Sequence, residues 1–125
     1  MSDEAEIRQI AGKYFDALYH GNADLFAEIF HPAAMLYCFA DATPVVMKIE
    51  DYLAVVRGRA APASKSDPRK DEVVRIEIPT PMTAHLRVRE LFLPKHFTDD
   101  LALVKTPDGW KIVSKIWNYT LVEKH

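Results

Sequence analysis

Phe97-Thr98-Asp99-Asp100-Leu101-Ala102-Leu103-Val104-Lys105, Thr106-Pro107-Asp108-Gly109, Trp110-Lys111-Ile112-Val113-Ser114-Lys115-Ile116-Trp117-Asn118-Tyr119 is the run whose reading decides the fold. It reads as two strands joined by a tight turn, because Pro-Asp-Gly chemistry separates two β-rich stretches. Side chains alternate faces along a strand, so Asp99 should point where Leu101 and Leu103 point, towards the interior. An acid aimed at a core either lines a pocket or serves as a structural hydrogen-bond acceptor. The last strand is apolar in both phases: Trp110, Ile112 and Ile116 in one, Val113, Trp117, Tyr119 and Leu121 in the other. A half-solvated antiparallel sheet would alternate cleanly. Both faces should therefore be covered, one by helices and the other by a second subunit or by the chain's own tail.

Working outward, strands alone follow residue 71: Glu72 to Ile78, Met82 to Leu93, Phe97 to Lys105 and Trp110 to Val122. Helical patterns dominate before it. Ile7, Ile10, Ala11, Tyr14 and Leu18 recur on one helical face, with Ser2 or Asp3 able to cap its start and Gly21 to end it. Asn22 can cap a short helix carrying Leu25, Phe26, Ile29 and Phe30, which stops near His31-Pro32. Ala34 to Phe39 and Pro44 to Lys48 fit a short hairpin, and Ile49 to Arg59 a third helix with Tyr52, Leu53 and Val56 on one face. Residues 60–70 have loop chemistry throughout and are expected to be the most mobile internal segment. Helices first and long strands last predict an α+β domain.

A turn at Pro94-Lys95 would set Glu90 opposite Asp99, Val88 opposite Leu101, Leu86 opposite Leu103, and Arg89 opposite Asp100 on the other face. Two carboxyls side by side on the inner face cannot both ionise easily, so one should hold its proton unusually tightly. A turn of another length would leave Asp99 alone. Tyr14 lies on the inward stripe of the first helix and can meet Asp99 there. The expected lining of the interior comes from Tyr14, Phe26 and Phe30, from Leu36, Leu53 and Val56, from Leu86, Val88, Leu101 and Leu103, and from Ile112, Ile116 and Asn118.

The 125 residues suit one domain (1–125), and a net charge of −2 with scattered Lys and Arg speaks against nucleic acid as a partner. The single cysteine, Cys38, has no partner for an internal disulfide. No apolar run reaches the ~20 residues that span a bilayer, and the acidic start carries no signal-peptide core, so no membrane is expected and the cytoplasm is the expected location. His20, His31, His85, His96 and His125 show no metal-ligand spacing, and no phosphate loop or nucleophile elbow occurs. No metal or cofactor is expected.

Taken together, Tyr14-Phe15-Asp16-Ala17-Leu18-Tyr19-His20-Gly21-Asn22, Phe30-His31-Pro32-Ala33-Ala34, Asp51-Tyr52-Leu53, Phe97 to Leu103 and Asp108-Gly109-Trp110-Lys111-Ile112 resemble the nuclear transport factor 2-like superfamily. Within it they are similar to the small proteins labelled SnoaL-like or putative lumazine-binding. The resemblance implies a cone-shaped barrel in which three helices pack on a strongly curved, mainly antiparallel sheet. It also implies a cavity inside the cone and a homodimer through the outer sheet face. Ketosteroid isomerases and polyketide cyclases share that fold. By this resemblance Tyr14 and Asp99 fall where the isomerases keep an oxyanion hole. Cys38 falls where their base stands, with Asp41 the nearest acid beyond it. A thiol is a poor substitute for a carboxylate base.

Two functions follow as expectations. One is a binding protein for an unidentified small molecule, apolar and carbonyl-bearing. The other is an isomerase, cyclase or dehydratase using Tyr14 and Asp99. The expected ligand contacts are Tyr14, Phe30, Cys38, Tyr52, Val56, Val88, Glu90, Asp99, Leu101, Ile116 and Asn118.

Overall fold

The computed structural model describes residues 1–122. Helix α1 spans Asp3–His20. Ser2 caps it by accepting from the Ala5 amide, and Gly21 ends it with φ at 66°, a conformation that favours glycine. Helix α2, Ala23–Ile29, is capped by Asn22. Strands β1, Phe30–Cys38, and β2, Val45–Lys48, form a hairpin leading into α3, Ile49–Gly58. The remaining strands are β3, Glu72–Thr80; β4, Thr83–Phe92; β5, Lys95–Thr106; and β6, Gly109–Leu121.

They make one six-stranded sheet in the order β2-β1-β6-β5-β4-β3, parallel only between β1 and β6. This is the expected α+β architecture of three helices on a curved, mainly antiparallel sheet. No described helix is long and apolar enough to cross a membrane.

The core forms where the inward stripe of α1 meets the concave face of the sheet. Tyr14, Phe26 and Tyr52 pack edge to face, with ring centroids 5.6 Å apart from Tyr14 to Phe26 and 5.5 Å from Phe26 to Tyr52. Leu36, Leu86, Val88, Leu101, Leu103 and Ile112 close the sheet side. The β5–β6 turn is fastened to the start of α1. The Trp110 amide donates to Glu6 at 2.7 Å, and its indole N–H donates to Asp3 at 3.1 Å.

Three expectations need correction. The β4–β5 turn is Leu93-Pro94, so the register shifts by two: Val88 faces Asp99, Glu90 faces Phe97, and Arg87, rather than Arg89, faces Asp100. A shift of two keeps every side chain on its face. Glu90 and Asp99 therefore remain on the inner face, as diagonal neighbours.

The second correction is larger. Ala102 pairs with Ser114 but Leu103 pairs with Ile112, leaving Val113 as an extra residue in β6. Such a bulge inverts the phase of everything beyond it. Lys115 and Trp117 turn inward beside Leu101 and Asp99, while Ile116 and Asn118 turn outward, Ile116 being 55% exposed. The expected inward placement of Ile116 and Asn118 is thus overturned. The two-faced look of the last strand is partly the signature of this bulge.

Third, the 60–70 segment, expected to be loop throughout, contains regular structure. It holds a 3-10 turn at Pro62–Lys65 and is tied to α1, where Tyr19 donates to the Asp67 carbonyl at 2.6 Å and Arg69 pairs with Asp16.

Candidate functional site

The bulge in β6 delivers an ammonium group into the base of the cone. Lys115 is only 4% exposed, and its Nζ sits 3.8 Å from Asp99 Oδ2 and 3.4 Å from the Tyr52 hydroxyl. The same nitrogen lies over the Tyr52 ring, 4.7 Å from its centroid. From α1, Tyr14 donates its hydroxyl proton to Asp99 Oδ2 at 2.5 Å. Glu90, from β4, completes the cluster. No N–H or other O–H of the protein reaches either Glu90 oxygen or Asp99 Oδ1, so within the cluster the two carboxyls have only each other, a proton on Glu90 making a hydrogen bond to Asp99.

Electrostatics divides the roles. Burial, reinforced by the charge of Asp99, holds the Glu90 carboxyl well above its ordinary value, so Glu90 is the member that keeps a proton. Asp99 is placed as an acceptor, with a phenol proton and an ammonium both directed at Oδ2. Burial would lower the Lys115 ammonium, but Tyr52, Asp99 and Glu90 outweigh it and raise it, so Lys115 is a cation at neutral pH. Burial first, then Asp99, pushes the Tyr14 phenol well above its usual range. Tyr14 stays neutral and donating.

A cavity of about 280 Å³ opens onto this cluster. Its apolar wall is Leu18, Phe92, Leu93, Pro94, Phe97 and Trp117; its polar groups are Tyr52, Arg59, Glu90, Lys95 and Lys115. Arg59, just past the end of α3, donates to the Tyr52 hydroxyl at 3.3 Å and stacks on Phe92 with its guanidinium carbon 4.7 Å from the ring centroid.

Of the residues expected to meet a ligand, Tyr52 and Glu90 line this cavity. Tyr14 and Asp99 converge as expected from their phases, but on each other and behind the cavity wall. Phe30, Cys38, Val56, Val88 and Leu101 are buried in the body of the core, away from the cavity lining. Ile116 and Asn118 lie on the opposite face of the sheet. Asp41 accepts from the Tyr119 hydroxyl at 2.5 Å and does not line the cavity either. Sequence reasoning missed Lys115, Arg59, Lys95 and Trp117. The available signal was Lys115 itself, a charge set inside the apolar run Ile112 to Trp117, which a strict alternation places outside. Among the described residues no cluster of three or more His, Cys, Asp or Glu could hold a metal ion; His125 lies outside them.

Comparison with known proteins agrees with this architecture. A crystal structure of an NTF2-like protein of unknown function from Shewanella baltica superposes with a TM-score of 0.80 at 22% identity, covering 91% of this chain and 90% of that one. One from Silicibacter pomeroyi gives 0.79 at 16%, covering 96% and 100%. A ketosteroid isomerase-like protein from Erwinia carotovora atroseptica gives 0.70 at 12%, covering 92% and 94%. At these identities the likeness establishes the fold. No curated protein matches the sequence. The family model described as "Putative lumazine-binding" matches residues 2–118, nearly the whole chain, and the protein belongs to that family.

Proposed function

We propose that this protein binds a small apolar molecule bearing a carbonyl group, held in the cavity with its oxygen towards Lys115 and Glu90. The observation that carries the reading is Glu90: a buried acid that lines the cavity beside a buried cation and has no donor or acceptor in the protein other than Asp99. Buried polar groups short of partners are rare, and one that lines a cavity is supplied by what enters it. A protonated carboxyl and an ammonium can both donate to one carbonyl oxygen. The aromatic wall suits a flat ring system, and about 280 Å³ lies just below the ~300–1,000 Å³ typical of ligand pockets. A ligand of one or two rings is the match. Lumazine, the bicyclic dicarbonyl in the family description, matches in ring number and in its carbonyls, though its ring nitrogens make it more polar than the class proposed.

A catalytic reading would require a base within reach of the ligand. Cys38 and Asp41 do not line the cavity, and Asp99 is engaged by Tyr14. Binding without turnover is therefore the reading favoured here.

Trp117 forms part of the wall and Trp110 is sealed in the core, so ligand binding should quench the emission of Trp117 alone. 2-Acetonaphthone should bind at least about tenfold more tightly than naphthalene, since a hydrogen bond to a charged group is worth ~1.5–3 kcal/mol. Equal affinities would remove the carbonyl from the reading, and no quenching by 2-acetonaphthone or lumazine would refute the cavity as a binding site.

Two copies are proposed to join through the outer face of the sheet. Val46, Tyr37 and Ile116 form a cross-strand apolar row there, with Val46 and Ile116 each 55% exposed. Ile116→Glu should convert a dimer to a monomer in sedimentation equilibrium at micromolar concentration. A monomeric unmodified protein would end this proposal.

A further inference from the structure

Arg59 and Lys95 have no role yet in this reading, although both line the cavity. Among the described residues neither is within salt-bridge distance of a carboxylate, and unlike the other unpaired cations both line the cavity. Arg59 spends one N–H on Tyr52 and its face on Phe92, which fixes the guanidinium plane and leaves its remaining donors uncommitted. Lys95 is held over the Tyr119 ring, 4.3 Å from its centroid. Lys115 is the third cation at the cavity, and its acidic partner, Asp99, lies behind the wall. Among the described residues the one acid that lines the cavity is Glu90. Among the described residues the lining thus presents three cations against one acid, and its polar groups offer mostly donors.

We infer that the ligand is a carbonyl-bearing carboxylate, with its carboxylate held by Arg59 and Lys95 and its carbonyl turned towards Lys115 and Glu90. This rests on the binding reading above and specifies its ligand class. A single planar carboxylate fits a guanidinium already oriented by Tyr52 and Phe92, since two parallel N–H groups can meet its two oxygens. The aromatic wall takes the ring between the two polar ends. A phosphate dianion fits less well, because the apolar lining would strip water from two charges where one fixed fork and one lysine are at hand.

The test uses the full chain and two probes of the same shape, 6-acetyl-2-naphthoate and its neutral counterpart 6-acetyl-2-naphthamide, titrated by calorimetry. The carboxylate should bind at least about tenfold more tightly than the amide, as charge-assisted pairs are stronger than neutral ones. Arg59→Gln should abolish most of that preference while leaving amide affinity within about twofold, and Arg59→Lys should retain part of it, a point charge replacing a fork. If the amide binds as well as the carboxylate, the charge inference falls and the binding reading stands. If Arg59→Gln weakens both probes equally, Arg59 shapes the cavity instead of reading charge, and the inference is overturned. Failure of both probes to bind would overturn the binding reading and this inference together.

Discussion

Lys115→Met is expected to destabilise the protein by about 3–5 kcal/mol at neutral pH, the usual cost of removing one partner from a buried ion pair. Methionine matches the length and apolar stem of lysine, so little packing is lost. What disappears is the cation that lies 3.8 Å from Asp99 and beside Glu90. The carboxyl pair left behind is then compensated only by Tyr14 and by bound protons. Protons are cheaper at low pH, so the loss should shrink as pH falls towards 5. Urea denaturation at several pH values checks this. A loss below about 1 kcal/mol at every pH would mean that Lys115 reaches solvent and is no part of a buried cluster.

Glu90→Gln should change the pH dependence of stability more than any other single substitution. The Glu90 carboxyl lies well above the ordinary glutamate value of about 4.5 in the folded state, because of burial first and Asp99 second. For an acid raised on folding, the stabilising contribution is complete below the unfolded value. It is lost as pH climbs from about 4.5 through the folded value, because the unfolded chain releases a proton that the folded chain keeps. Glutamine does not titrate. The variant should therefore match the parent near pH 4 and overtake it at higher pH, by no more than about 1.4 kcal/mol per pH unit. Parallel curves would show that Glu90 ionises in the fold as it does in the open chain.

The fold was legible because its signals are local and repeated. Ser2, Gly21 and Asn22 cap and end the first two helices, the stripe from Ile7 to Leu18 declares its buried face, and Pro107-Asp108-Gly109 marks a hairpin. The meeting of Tyr14 with Asp99 followed from phase alone. The candidate site was less legible, for one reason above all. A single extra residue, Val113, inverts the last strand, and no local pattern marks it, because valine suits a strand on either side of a bulge. Strict alternation therefore placed Ile116 and Asn118 inside and Lys115 outside. The turn at Leu93-Pro94 displaced the pairing of β4 with β5 by two residues, which preserved faces and so did little harm. Arg59 belongs to the cavity only through tertiary packing of the end of α3 against Phe92, which spacing along the chain does not encode.

The most direct test of the central claim is a crystal structure of the protein soaked with 2-acetonaphthone. The ring should lie between Phe92 and Trp117, and the carbonyl oxygen should sit about 2.7–3.2 Å from Lys115 Nζ or a Glu90 oxygen. A ring found elsewhere on the molecule, or one in the cavity with its carbonyl turned to solvent and away from Lys115 and Glu90, would contradict it.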